Sequence, residues 1–272
     1  MDMIFLYLWG IAALAALVYL FAAAKATVLG TLGVLALGFL GANLLFALLF
    51  TVNSFFRRAD WPIGRQSRLS RWISVNVCDW LCGYAGVRPA LIGLEKLPQD
   101  RPFLFVCNHR SMFDPLLAIG RLKDYNLMFV SKPSNLALPI AGVTAISAGC
   151  LPIDRDNDRA ALKSILAAAD YLKRGVCSVG IYPEGTRSRT GELGPFHAGS
   201  FKIAQKALAP VAICCVRGTE RIAKTLFFSR TRVELEVLEL LDDAAVKSMR
   251  TTELSDYARR RIQAALEGDR HA

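Results

Sequence analysis

The sequence has only three histidines, and its first 56 residues contain only two charged side chains, Asp2 and Lys25. The uncharged run from Met3 to Ala24 would form a helix of about 33 Å, which is close to the roughly 30 Å hydrocarbon thickness of a bilayer. A secretory signal peptide would begin with basic residues, which this chain lacks before Met3. We therefore expect residues 1–56 to be retained as a membrane hairpin anchor.

The second apolar run, from Ala26 to Phe56, has features of a helix packed against another helix in lipid. It contains small residues that permit close helix approach: Gly30, Gly33, Gly38 and Gly41. A group of arginines follows it: Arg57, Arg58, Arg65, Arg68 and Arg71. This bias predicts that the chain from residue 57 onward lies on the cytoplasmic face of the cell membrane. Two membrane spans and a re-entrant hairpin both fit this pattern.

The sequence lacks the paired cysteine spacings of zinc sites and the aromatic motifs of nucleic-acid binding. Its seven cysteines are odd in number and scattered, which is typical of reduced core residues in a cytoplasmic domain. The formal net charge is +10, and only one of the 33 lysines and arginines precedes residue 57. Such an excess favours an anionic partner. The adjacent apolar segment favours membrane lipids over nucleic acid.

Short apolar runs alternate with helical patterns in the rest of the chain. Strands are predicted at 90–94, 103–107, 126–130, 177–182, 211–216 and 232–240, and helices at 69–84 and 158–175. This alternation predicts an α/β domain with a mixed, mostly parallel sheet flanked by helices. We divide the chain into the hairpin 1–56, a basic amphipathic linker helix in 57–88 and an α/β domain in 89–272.

His109 and Asp114 follow one of these predicted strands. An imidazole oriented by a carboxylate can act as a general base near neutral pH. On a continuous helix the two residues would lie about 140° apart, so they can meet only across a turn. Asp114 also precedes Pro115, a pattern typical of a helix N-cap, and this leaves a purely structural role open. A metal site is disfavoured because one histidine and one aspartate provide too few ligands.

Three further segments strengthen the catalytic interpretation: GCLPIDR at 149–155, YPEGTRSR at 182–189 and LAPVAIC at 208–214. Together with NHRSMFD at 108–114, they resemble, in this order and at these separations, the four motifs of the glycerolipid acyltransferase family. The best-known members of that family are the 1-acylglycerol-3-phosphate acyltransferases. The resemblance covers roughly residues 97–220, and the apolar N-terminal segment resembles the anchor of bacterial members.

The resemblance implies transfer of a fatty acyl group to lysophosphatidic acid, which forms phosphatidic acid in phospholipid biosynthesis. Acyl-CoA or acyl carrier protein would be the co-substrate, and no other cofactor or metal is expected. His109 would deprotonate the acceptor hydroxyl while Asp114 holds the other ring nitrogen, with direct attack and no acyl-enzyme. The residues expected to bind the acceptor and its phosphate are Lys132, Arg155, Glu184, Gly185, Thr186 and Arg187.

Other functions stay open at this stage. The acceptor could be another lysolipid, such as a lyso-ornithine lipid. The same dyad could serve a phospholipid hydrolase, and a non-catalytic protein that binds anionic lipid is a third alternative. Cys107 and Ser111 are candidate nucleophiles for the hydrolase, although we expect Cys107 to be buried and Ser111 lacks a nucleophile elbow.

Two positions depart from the family pattern. Cys214 stands where the fourth motif usually has a second proline, and Pro152 stands where the second motif usually has a bulky apolar residue. Both departures affect the expected acyl-chain preference and acceptor more than the type of reaction. Arg155 also begins a charged segment, 155–159, that could be merely solvated.

Overall fold

The computed structural model of the protein describes residues 3–22, 28–55, 68–138, 141–154, 157–188, 190–225 and 229–268. The chain divides into two compact units, Met1–Arg57 and Arg58–Ala272.

The first unit is a pair of helices, α1 (Met3–Ala22) and α2 (Val28–Phe55). They pack through small residues, since a Cβ at Gly38 would lie 3.2 Å from the Cα of Ala12. No helix in the described part of the chain has the length and apolarity needed to cross a membrane. The predicted membrane hairpin therefore stays unconfirmed.

The second unit contains seven strands and nine α-helices among its described residues. In chain order they are α3 (Arg68–Tyr84), β1 (Val87–Ile92), β2 (Leu104–Cys107), α4 (Phe113–Arg121), β3 (Leu127–Ser131), α5 (Pro133–Leu136), α6 (Ala141–Ser147), β4 (Leu151–Pro152), α7 (Asp158–Lys173), β5 (Ser178–Ile181), α8 (Lys202–Ala207), β6 (Val211–Arg217), α9 (Ile222–Thr225), β7 (Thr231–Leu241), α10 (Asp243–Ser248) and α11 (Thr251–Gly268).

The seven strands form one sheet in the order β1-β7-β6-β2-β5-β3-β4. Every neighbouring pair is parallel except β6 with β7, which is antiparallel. The predicted mixed, mostly parallel α/β sheet is therefore confirmed. Because β2, β3 and β5 run in the same direction, the segments that follow them emerge at one edge of the sheet.

The core lies on both faces of this sheet. Along β2, Phe105 and Cys107 belong to one buried cluster, whereas Leu104 and Val106 belong to the other. Side chains alternate along a strand, so a strand covered on both faces must be apolar throughout. All seven cysteines are free and buried.

Several boundaries differ from the sequence prediction. The first strand begins at Val87 rather than at residue 90, so it starts inside the predicted linker segment 57–88. One strand, β4, was not predicted, because it has only two residues and is too short to give an alternating pattern. The helix α3 lies in the segment predicted as the linker helix, and its buried Cys78 and Cys82 belong to one of the two core clusters.

Candidate active site

The turn between β2 and α4 brings His109 and Asp114 together. Nδ1 of His109 lies 2.7 Å from Oδ2 of Asp114. The same oxygen accepts hydrogen bonds from the backbone N–H groups of Arg110 and Ser111, each at 2.7 Å. A carboxylate only accepts, so Nδ1 carries the proton and the lone pair of the imidazole is on Nε2. The pair therefore has the arrangement of a general base and its orienting carboxylate.

Asp114 does not act as the N-cap that its position before Pro115 suggested. The helix α4 begins one residue earlier, at Phe113, and its N-cap residue Met112 makes no side-chain capping bond. The Asp114 side chain is 1% exposed and bonds backward to the turn that carries His109. Its position favours a role in orienting the imidazole.

Aromatic rings support the imidazole from one side. The ring of Tyr182 stacks on that of His109 with centroids 4.2 Å apart and an interplanar angle of 15°. Phe129 stacks on Tyr182 in turn, at 5.0 Å and 7°. Burial raises the pKa of Tyr182 well above its usual value, so the phenol stays neutral. This stack was not predicted, although Tyr182 is the first residue of the motif YPEGTRSR and directly follows the strand β5.

Backbone and side-chain hydrogen bonds fix the segment on either side of His109. The side chain of Asn108 accepts from the N–H of Val216 at 2.8 Å and donates to its carbonyl at 2.9 Å. The carbonyl of His109 accepts from the N–H of Ser188 at 2.9 Å. The strand β6 and the motif at 182–189 therefore both determine where the imidazole lies.

Glu184 contacts the backbone of the catalytic candidate His109. It is buried, and its Oε1 accepts from the backbone N–H of His109 at 2.7 Å. Its Oε2 accepts from the N–H of Gly194 at 3.0 Å. Both carboxylate oxygens are thus bonded to the protein backbone. The resemblance implied contact with the acceptor, whereas these bonds favour a positioning role for Glu184.

We expect Glu184→Gln to lower kcat by about 10- to 100-fold, with less than about a threefold change in KM for the acceptor. A glutamine has one acceptor oxygen, so its amide group would face a backbone N–H that needs an acceptor. Steady-state kinetics with the acceptor varied will separate the two parameters. The exposed Glu192, in the same loop, provides the matched control Glu192→Gln. A raised KM with unchanged kcat would instead identify Glu184 as a substrate contact.

An apolar cavity of about 280 Å³ opens beside the dyad. Its lining residues are Cys78, His109, Met112, Pro115, Leu116, Ile119, Phe129, Ser131, Asn135, Leu138, Ala145, Cys150 and Arg187. Most of these side chains are apolar, and the elements that provide them include α3, α4, β3 and α6. Such a lining suits a hydrocarbon chain whose reacting end lies near His109.

A second cavity of about 440 Å³ lies next to the first, and we call it the polar cavity because seven of its ten lining residues have polar or charged side chains. Its lining residues are Arg110, Ser111, Met112, Arg187, Ser188, Thr190, Gly191, Glu220, Ala223 and Lys224. Met112 and Arg187 line both cavities, so they mark the boundary between the apolar and the polar space. An anionic headgroup suits the polar cavity because three of its lining side chains are cationic.

Only some of the other residues predicted to bind the acceptor lie at the two cavities. Arg187 is exposed and makes no ion pair within the described part of the chain. Gly185 forms the turn before it with a φ of 78°, a conformation that favours glycine. Lys132 and Thr186 are exposed and line neither cavity. Arg155 lies outside the described residues.

The two candidate nucleophiles are poorly placed for a hydrolase. Burial raises the pKa of the Cys107 thiol well above its usual value, which disfavours the reactive thiolate. The Ser111 hydroxyl accepts from the N–H of Phe113 at 3.2 Å. No hydrogen bond joins either side chain to the imidazole of His109 in the described contacts. Across the same residues, no group of three His, Cys, Asp or Glu side chains is placed to hold a metal ion.

The protein-family model and the relatives that match this chain are all described as acyltransferases. The family model described as Acyltransferase matches residues 88–217, just under half of the chain. A chloroplastic 1-acyl-sn-glycerol-3-phosphate acyltransferase from Brassica napus is 34% identical over 157 residues, covering 57% of this chain and 42% of that protein. The 1-acyl-sn-glycerol-3-phosphate acyltransferase of Salmonella typhimurium is 30% identical over 156 residues, covering 57% of this chain and 63% of that protein.

Among solved structures, the 1-acyl-sn-glycerophosphate acyltransferase PlsC from Thermotoga maritima has the same fold. Its TM-score is 0.64 at 23% identity, with 84% of this chain and 90% of that chain covered. The resemblance inferred from the four motifs is confirmed by these matches. The matched segment spans less than half the length of the first two plant relatives, at 42% and 41%.

Proposed function

We propose, from the match of residues 88–217 to the family model described as Acyltransferase, that the protein transfers a fatty acyl group to lysophosphatidic acid and so forms phosphatidic acid. The observation that carries the proposal is the position of His109. Its imidazole is held by Asp114 and lines an apolar cavity that shares Met112 and Arg187 with a polar one. An acyl thioester and a phosphorylated alcohol can meet at this boundary.

The reaction needs one general base, which later acts as the acid. Nε2 of His109 takes the proton from the acceptor hydroxyl as the oxygen attacks the thioester carbonyl. Asp114 stabilises the imidazolium that forms. Collapse of the tetrahedral intermediate forms the new ester and breaks the carbon–sulfur bond, and the departing thiolate takes the proton from the imidazolium. His109 ends in its starting state, so no acyl-enzyme is required.

The polar cavity would hold the phosphate of the acceptor. Arg187 provides a planar guanidinium at the boundary, and such a group can bind a phosphate through two parallel hydrogen bonds. Arg155 stays a candidate for the same phosphate, and so does Lys132 as a point charge, although Lys132 lines neither cavity. The acyl chain of the donor would occupy the apolar cavity beside His109.

We also propose that the enzyme acts at the cytoplasmic face of the cell membrane, as a membrane-attached protein that uses acyl-CoA or acyl carrier protein as donor. In the unit formed by α1 and α2, several large apolar side chains are exposed, among them Leu14, Leu37, Leu40, Leu44 and Leu48. An exposed apolar surface of this kind suits lipid contact. The division into an anchor, a linker helix and a catalytic domain is part of this proposal.

The proposal can be tested with the purified full chain, a labelled acyl-CoA and a panel of lysolipids. We expect label in the product from lysophosphatidic acid and much less from lysophosphatidylcholine or a lyso-ornithine lipid. Faster acylation of the lyso-ornithine lipid would identify that lipid as the preferred acceptor. Release of labelled fatty acid at a rate independent of acceptor would indicate a hydrolase.

We expect Arg187→Lys to lower kcat/KM for lysophosphatidic acid by roughly tenfold and Arg187→Ala by up to roughly 150-fold. Lysine keeps the charge but loses the planar pair of donors, so it should rescue only part of the activity. The acyl-CoA KM should change little, and kinetics with each substrate varied separately will show this. Arg174→Lys, at the exposed C-cap position that follows α7, is the control. Equal effects on both substrates would contradict the phosphate assignment.

A further inference from the structure

The polar cavity contains two charged residues that lie beyond the segment matched to the family, Glu220 and Lys224. We propose that these residues set the charge of the cavity and thereby make it select a phosphate monoester over phosphodiester and zwitterionic headgroups. This inference rests on the proposed function, because it names what determines the acceptor at that same site. It assigns specificity to a short segment that follows β6.

Glu220 and Lys224 are carried by a firmly anchored turn. After β6 the chain forms a short 3₁₀ helix at Thr219–Arg221 and then α9. Thr219 and Ile222 are both 0% exposed, and Ile222 belongs to the same core cluster as Phe105 and Cys107. Glu220, Ala223 and Lys224 lie three and four residues apart, which places them on one side of a helical turn, and all three line the cavity.

Positive side chains outnumber negative ones on the lining of the polar cavity. Nε of Arg110 lies 3.2 Å from Oε2 of Glu220, in an ion pair whose side chains are 18% and 41% exposed. The guanidinium of Arg110 also donates to the carbonyl of Gly191 at 3.4 Å. Glu220 is therefore positioned to neutralise Arg110, while Arg187 and Lys224 have no ion-pair partner within the residues that the structure describes.

Three cations and one carboxylate leave the cavity with two positive charges in excess. A phosphate monoester carries about −1.5 to −2 at neutral pH and would balance that excess. A phosphodiester carries only one negative charge, and a zwitterionic headgroup adds a cation that Arg187 and Lys224 would repel. Removing Lys224 should therefore weaken the preference for the monoester, and removing the carboxylate of Glu220 should strengthen binding of the anion.

We expect Lys224→Gln to raise KM for lysophosphatidic acid by about five- to tenfold, with less than about a twofold change in kcat and in KM for acyl-CoA. The ratio of kcat/KM for lysophosphatidic acid to that for lysophosphatidylcholine should fall by a similar factor. Glu220→Gln should shift KM for lysophosphatidic acid in the opposite direction, by about two- to fivefold. Both side chains are exposed, so both variants should retain the parent's melting temperature.

Lys247→Gln is the matched control because it removes one exposed positive charge on α10, and Lys247 lines neither the apolar nor the polar cavity. It should leave the acceptor KM and the acceptor ratio at parent values. Equal effects of Lys224→Gln and Lys247→Gln would overturn the inference, as would a change confined to KM for acyl-CoA. If the parent does not acylate lysophosphatidic acid at all, the proposed function itself fails.

Discussion

Replacement of His109 by alanine is expected to lower the rate of acyl transfer by about 10²- to 10⁴-fold, which is the usual contribution of a general base. The imidazole is the proton acceptor in the proposed reaction, and no second base lies bonded to Asp114 in the described contacts. The fold should persist because the His109 side chain is 19% exposed and lines a cavity. Its backbone bonds to Glu184 and Ser188 do not depend on the ring.

The measurement is the initial rate of labelled phosphatidic acid formation at saturating donor and acceptor. Circular dichroism and a melting curve will show whether the variant is folded. His197→Ala is the control, since His197 is exposed and lines neither the apolar nor the polar cavity. A folded His109→Ala protein that retains the parent rate would refute the role of His109 as the base.

Asp114→Asn should be nearly as damaging, with a loss of about 10²-fold or more. An asparagine oxygen can still accept from the backbone N–H groups of Arg110 and Ser111, so the turn should form. It has no negative charge, however, and cannot stabilise the imidazolium that arises when His109 takes the proton. If the amide group turns toward Nδ1, it also favours the wrong tautomer.

The effect should fall on kcat, because Asp114 is buried and lines neither cavity. We expect KM for both substrates to change by less than about threefold. Asp124→Asn removes one exposed carboxylate from the turn after α4 and should match the parent. A large increase in KM with normal kcat would mean that Asp114 contributes to substrate binding rather than to proton transfer.

Local signals in the sequence were sufficient for six of the seven strands and for the pairing of His109 with Asp114. The buried strands are continuous apolar runs, and their parallel arrangement places the following loops at one edge. The five-residue spacing excluded a shared helical face and so required the turn that the structure contains. The N-cap interpretation of Asp114 failed because the carboxylate bonds back to residues 110 and 111 instead of forward into its own helix.

Features that depend on tertiary contacts could not be predicted in this way. Glu184 accepts hydrogen bonds from the backbone N–H groups of His109, 75 positions earlier, and of Gly194, 10 positions later. Nothing in the local sequence around Glu184 identifies these two partners. Glu220 and Lys224 enter the polar cavity because the segment after β6 turns toward residue 110, which lies in a distant part of the sequence. The two-residue strand β4 exists only through its pairing with β3.

Single-turnover transfer from a labelled acyl-CoA to lysophosphatidic acid tests the proposed mechanism most directly, because it follows the acyl group itself. With parent enzyme in excess over donor, the label should pass into phosphatidic acid only when the acceptor is present, and no label should remain on the protein after denaturation. The same experiment with His109→Ala should leave the label on the donor. Label bound covalently to the protein, or free fatty acid formed without acceptor, would contradict direct transfer by the His109–Asp114 pair.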